Sequence, residues 1–211
     1  MKYYIHKNRF LIMNSIMNSI TKQMEECPLK PIKYNVHTIF QDKPIEDVKE
    51  ISKHFRLPIH LVLCNVDGNM NIAMCVRTCA VLGISDVWII GRRAYDARPE
   101  VGGRHYVNVH KLDKIEEPYE FFMSKGIQPF LIEQGGNSLE EFSFKPYLKA
   151  PVCFIMGCES TGISPEWEKN LVKAPRLSIS QYGMIRSLNV SVAASIILYE
   201  YIKQLKKDSP I

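Results

Sequence analysis

Ser187 and Asn189 stand two residues apart just ahead of an apolar run, and the segment leading to them, Ser178-Ile179-Ser180-Gln181-Tyr182-Gly183, reads as a strand followed by a glycine-bearing loop. A helix opening there leaves its first backbone N–H groups without intrahelical partners, so uncovered amides and two neutral hydrogen-bonding side chains meet at one spot. Such a spot suits a polar ligand better than a core. The same arrangement recurs upstream, where Asn65-Val66-Asp67-Gly68-Asn69-Met70-Asn71 precedes an apolar stretch that reaches Arg77 and Thr78. A third apolar run, Val152 to Met156, ends in Gly157-Cys158-Glu159-Ser160-Thr161-Gly162, which sets a carboxylate between glycines. Each residue also has a plain structural role open to it: Ser187 or Asn189 as a helix cap, Glu159 as a complement to a helix dipole, Arg77 as a surface cation. Three strand ends with the same polar chemistry favour a site.

The elements that must position these residues alternate. Apolar runs predict strands at 59–64, 87–90, 106–110, 129–132, 152–156 and 177–179, with helices at 71–82, 118–125, a short one after Pro165, and a long one from 187 to about 204. Strands alternating with helices imply a parallel sheet covered on both faces, and ligands of such sheets bind at the carboxyl ends of the strands, where the three polar blocks fall. The fold class is therefore α/β, a parallel-sheet three-layer sandwich. No Gly-x-Gly-x-x-Gly follows the first strand, which argues against a dinucleotide site.

With 211 residues, 46% of them apolar, the chain has material for one α/β domain and a short appendage. Residues 1–57 form that N-terminal extension, with a short amphipathic helix at 45–55 ended before Pro58 and a tandem repeat at 13–20; the domain occupies 58–211. The net charge of +5 permits an anionic partner without requiring one. The six cysteines lack Cys-x-x-Cys spacing, so free thiols in a reducing compartment and no structural metal are expected. Neither a secretory leader nor an apolar run long enough to span a membrane is expected, and the location expected is the cytoplasm, with an organelle or the nucleus left open.

The three polar blocks, in this order, resemble the three motifs of the SpoU (TrmH-like) RNA 2′-O-methyltransferases of the SPOUT superfamily. Asn71 six residues before Arg77 matches the first motif, Gly157-x-Glu159-x-x-Gly162 the second, and Ser187-Leu188-Asn189-Val190 the third. The resemblance runs from about residue 59 to about residue 204. It implies a C-terminal trefoil knot, S-adenosylmethionine as cofactor, and methyl transfer to a ribose 2′-hydroxyl, in tRNA ahead of rRNA. A catalytically retired RNA-binding module of the same fold is the alternative, and the intact motif set argues against it. The resemblance assigns catalysis to Asn71, Arg77, Glu159, Ser187 and Asn189, and cofactor contacts to Glu133, Met156, Gly157, Ile179 and Leu188. Arg77 acts either as the group that activates the hydroxyl or as a clamp on the neighbouring phosphate; a guanidinium that stays protonated is a poor base. Two departures stand out: Ser180-Gln181 replaces the usual Pro-Met, and Cys158 the usual Asn.

Given RNA as partner, the loop after the second strand becomes informative, because Arg92, Arg93, Arg98, Arg104 and His105 surround Gly102-Gly103 and can track a phosphate backbone. The apolar stripe of the last helix, Leu188, Val192, Ile196 and Tyr199 with Ala193, Ile197 and Tyr201 beside them, is too wide for a surface helix. A subunit interface accounts for it, and the family resemblance implies a homodimer whose active sites draw on both chains.

Overall fold

A computed structural model describes residues 35–66, 68–91, 94–158 and 160–208. The described residues fall into two compact units divided between Arg56 and Leu57. The first holds helix α1 (Ile45–His54), which carries Glu46 and Asp47 in its first turn and Lys53 and His54 in its last, the polarity that a helix dipole favours. The tandem repeat lies outside the described residues.

The second unit is a six-stranded, wholly parallel sheet of β1 (Leu57–Cys64), β2 (Ile84–Ile90), β3 (Asn108–Leu112), β4 (Gln128–Ser138), β5 (Val152–Met156) and β6 (Arg176–Ser178), in the order β3-β2-β1-β5-β4-β6. The burial of each strand explains the order. β1 and β5 are apolar on both faces and pair at the centre, Leu61 opposite Phe154, whereas β3 carries exposed Asn108 and Lys111 and takes an edge.

Alternate residues serve opposite layers. Val62, Cys64, Trp88, Ile90, Cys153 and Ile155 form one core with Phe122 of α3 (Glu116–Lys125) and Trp167 of α4 (Pro165–Asn170). On the other face Phe154 packs edge-on against Tyr201 of α5 (Val190–Asp208), with ring centroids 5.4 Å apart. Helix α2 (Asn69–Leu82) lies beside α5, to which it is joined by a 3.0 Å hydrogen bond between the hydroxyls of Thr78 and Ser195. It ends at Gly83, whose φ of +69° is a left-handed cap that a side chain would resist. No helix among the described residues is long and apolar enough to cross a membrane.

Among the boundaries that differ from the sequence expectation, three have a local cause. β3 starts at Asn108 rather than Tyr106, because the Tyr106 amide donates to Gly103 O at 2.9 Å and closes a turn first. β4 continues past Ile132 to Ser138: Ile132 and Asn137 both pair with Leu177, and the residues between them bulge out of the ladder. Helix α5 starts at Val190, not Ser187, for a reason found in the site itself.

Candidate active site

The bulge in β4 delivers Glu133 and Gln134 to a cavity of about 330 Å³ at the carboxyl edge of the sheet. Its lining comes from β4, the ends of β5 and β6, and the approach to α5, and includes Glu133, Met156, Gly157, Ile179 and Leu188. All five positions assigned to a cofactor therefore share one cavity. The walls are held by main-chain contacts. A Cβ on Gly157 would lie 2.3 Å from the Gly162 carbonyl carbon, so only glycine permits the strand end and the returning loop to meet, with Cys158 and Gly162 exchanging backbone hydrogen bonds of 2.9 Å. Glu133 accepts from the Ile163 amide at 2.8 Å, which fixes its carboxylate against that loop. Gln134 donates to the Arg186 carbonyl and ties the far wall to β4.

Asn189 occupies the cap of α5. Its Oδ1 accepts from the Ser191 amide at 2.9 Å, and its main-chain carbonyl accepts from Ala193 at 2.9 Å, so the helix cannot extend back to Ser187. The Asn189 Nδ2 donates to Asn71 Oδ1 at 2.9 Å, across 118 residues of chain. The first and third polar blocks thus touch, and the start of α5 is joined to the start of α2. Ser187 lines the 330 Å³ cavity beside Arg186 and Leu188.

Arg77 does not line that cavity. It is exposed on α2 in an adjoining groove of about 710 Å³ between α2 and α5, with Met74, Val81, Val192, Ile196 and Tyr199. The five proposed catalytic residues therefore do not share one cavity within a single chain. Asn71 and Asn189 are bonded to each other and line neither cavity, Ser187 lines the one, Arg77 the other, and Glu159 lies outside the described residues. Helix register separates them: six residues from Asn71 to Arg77 advance nearly two turns, about 9 Å along α2.

Of the loop cations, Arg92 and Arg93 also lie outside the described residues. Arg98 is exposed and spends its Nε and one terminal nitrogen on the Asp96 carboxylate, the latter at 2.6 Å. Arg104 bonds through Nε to Glu100.

Gln134, Ser160, Thr161, Gln181 and Arg186 line the cavity without having been singled out from the sequence. Their signal was adjacency, since each lies within a few residues of a motif position or, for Gln134, beside Glu133. Cys158 lines it too; burial works to raise its thiol pKa, but hydrogen bonds from Ser160 and Thr161 outweigh this and hold it below the ordinary value. The other four described cysteines, Cys64, Cys75, Cys79 and Cys153, are buried and form no disulfide.

Comparison with known proteins places this geometry. The tRNA (guanosine(18)-2′-O)-methyltransferase of Aquifex aeolicus is 30% identical over 169 residues, covering 77% of this chain and 77% of its own. The crystal structure of the A. aeolicus TrmH/SpoU tRNA modifying enzyme superposes with a TM-score of 0.63 at 26% identity, over 78% of this chain and 83% of that one. The SpoU methyltransferase AviRb of Streptomyces viridochromogenes, solved in complex with the cofactor AdoMet, shares the fold with a TM-score of 0.61 at 22% identity, over 69% of this chain and 57% of that one. The SpoU rRNA Methylase family matches residues 58–199, well over half the chain, and the chain belongs to that family.

Proposed function

We propose that this chain transfers the methyl group of S-adenosylmethionine to a ribose 2′-hydroxyl of structured RNA, tRNA ahead of rRNA. The observation that carries this reading is the cavity at the sheet's carboxyl edge, which gathers Glu133, Met156, Gly157, Ile179 and Leu188 beside the Asn71–Asn189 pair. The cavity fits the cofactor. Its volume is at the lower end of small-molecule sites, about 300–1,000 Å³. Apolar Met156, Leu177, Ile179 and Leu188 suit a flat ring, and bulged main chain at Glu133 and Gln134 suits its polar edges. When bound there, S-adenosylmethionine supplies an electrophilic methyl group.

The residues of the chain supply the rest. A neutral ribose hydroxyl is a poor nucleophile and must be aligned and lose its proton. Ser187 and the Asn71–Asn189 pair are neutral hydrogen-bonding groups suited to orienting the hydroxyl. Arg77 clamps the adjacent phosphate, and that phosphate or a water accepts the proton. Glu159 serves to hold an arginine in position.

A homodimer reconciles the two cavities, because a second copy seated on the α2–α5 groove puts Arg77 at an interface where one active site draws on both protomers. The C-terminal segment is also bonded to an earlier one: Leu139 donates to Ser178 O at 2.8 Å, and Gln204 accepts from the Phe144 amide at 2.9 Å and donates to Phe142 O at 3.0 Å. The trefoil knot is proposed on the family precedent, since such knots are otherwise rare. The methyltransferase domain, 58–211 from the sequence, takes in the unit that starts at Leu57, the residues before it are an extension available for RNA contact, and an RNA substrate fits a cytoplasmic, organellar or nuclear enzyme.

Calorimetric titration with S-adenosylmethionine, followed by methyl transfer to tRNA and rRNA from cells lacking the protein, tests the reading. Cofactor binding with transfer to tRNA supports it. RNA binding without transfer marks the retired module, and neither activity refutes both.

A further inference from the structure

Glu100 is the only buried carboxylate among the described residues, 1% exposed, in the loop that joins β2 to β3. Burying a carboxylate is costly unless its oxygens are bonded. Both are: Oε2 accepts from the Tyr95 hydroxyl at 2.8 Å and Oε1 from Arg104 Nε. Burial and the nearby carboxylate push the Tyr95 hydroxyl pKa up, so it stays a donor. Arg104 is held by its Nε alone, and about half of its side chain is exposed, which leaves its two terminal nitrogens for an incoming acceptor. Arg98, by contrast, already has its fork on Asp96.

The loop is also docked against the catalytic helix. A Cβ on Gly103 would lie 3.3 Å from the Cα of Arg77 and 3.4 Å from Val76 O, so the residue before Arg104 rests directly on the turn that presents Arg77. Lys111 Nζ lies 5.1 Å from the Tyr95 ring centroid and adds a further cation beside this loop. An arginine with its stem fixed by a buried acceptor and its terminal nitrogens exposed loses less freedom on binding a phosphate than a free surface arginine does.

We infer that Arg104 contacts a backbone phosphodiester of the RNA substrate next to the one served by Arg77, and that Glu100 and Tyr95 are positioning residues for it. This inference rests on the RNA-methylation reading. Its distinctive consequence is one of sign. Removing the negative charge of Glu100 makes the loop more positive and, on charge alone, tightens RNA binding; if Glu100 positions Arg104, binding weakens instead.

The test is binding of an unmodified tRNA transcript to the full chain between 50 and 200 mM KCl, with S-adenosylmethionine affinity and steady-state kinetics measured alongside. Arg104→Ala is expected to weaken tRNA binding about fivefold to tenfold and to reduce the log–log salt slope by about 0.7 to 0.9. Arg104→Lys keeps the slope and loses affinity. Glu100→Gln and Tyr95→Phe raise KM for tRNA several-fold with kcat and cofactor affinity near those of the parent. If Glu100→Gln does not fold, Tyr95→Phe and Arg104→Lys carry the same test. Unchanged affinity and slope in Arg104→Ala, or tighter binding in Glu100→Gln, would overturn the inference while leaving the parent's methyl transfer intact. Failure of the parent itself to bind both tRNA and cofactor would overturn the functional reading and this inference with it.

Discussion

Asn189 shows how one side chain can serve structure and site together. Its Oδ1 caps α5 and its Nδ2 reaches Asn71, so the helix start and the tie between α5 and α2 depend on the same amide. Asn189→Ala is expected to cost about 1 kcal/mol, the usual value of a cap, read as a drop in the urea midpoint at unchanged slope. Asn189→Asp keeps the cap acceptor and recovers most of that stability without restoring the donor to Asn71. Arg77 tests chemistry more than stability, because it is exposed and outside the cofactor cavity. Arg77→Ala is expected to lower kcat about 10²- to 10³-fold, the scale of losing one aligned cationic donor, with cofactor affinity within about twofold of the parent. Arg77→Lys does little better, since a point charge does not reproduce a planar fork; near-normal turnover in either variant would remove Arg77 from the mechanism. The residue types and spacings of Asn71, Arg77, Ser187 and Asn189 were readable from the chain. That Arg77 faces a different cavity from Ser187 was not, because spacing along a sequence says nothing about which side of a helix junction a side chain takes.

At the level of elements, apolar alternation identified all six strands and the helices between them, and it failed where backbone geometry overrides pattern. Gly135 and Gly136 look like the end of β4, yet Gly136 lies so close to the Arg176 and Leu177 backbone that an added Cβ would sit 2.7 Å away, and this close approach lets the strand resume after the bulge. Polar residues inside strands carried a second signal that periodicity does not weigh. His60, Asp86 and Asn108 are in register across β1, β2 and β3, and Asp86 accepts from Asn108 at 3.0 Å and pairs with His110 at 2.7 Å. Burial alone raises the Asp86 pKa, but hydrogen bonds from His110, Ser85 and Asn108 and the charge of His60 bring it down to about 2. Burial, opposed by Asp86, lowers that of His60, whose Nδ1 lies 3.3 Å from the Trp88 indole nitrogen and can accept from it only while neutral. Both groups have folded-state pKa values below their unfolded ones, so both contribute stability that is complete above the unfolded value and is lost on acidification. Stability is therefore expected to fall as pH drops below about 6.5, where unfolded His60 begins to take up its proton, and again between about 4 and 2 through Asp86. Urea midpoints measured against pH check this, and His60→Gln should flatten the upper limb alone; a parent profile flat from pH 7 to 5 would contradict it.

On the scale of the whole molecule, the α2–α5 groove is the feature on which the proposed dimer rests. Val192, Ile196 and Tyr199 on α5 and Met74 and Val81 on α2 are exposed apolar side chains on facing helices, and Tyr199 is 63% exposed. The stripe on the last helix was visible in the sequence as too wide for a surface helix, and the structure divides it: Ile197 and Tyr201 are buried in the sheet's core while Val192, Ile196 and Tyr199 face outward. Contiguous exposed apolar surface of this kind marks a contact. Sedimentation equilibrium is expected to show a dimer at micromolar concentration, with Ile196→Asp shifting it to monomer and abolishing methyl transfer while α5 stays folded; a monomeric, fully active parent would rule the shared site out. The position of the methyl group on the product tests the account most directly. tRNA labelled by the protein with methyl-tritiated S-adenosylmethionine and then hydrolysed with alkali is expected to release its label in alkali-resistant dinucleotides, because backbone cleavage needs a free 2′-hydroxyl. Label released only in mononucleotides would place the methyl group on a base and contradict ribose methylation.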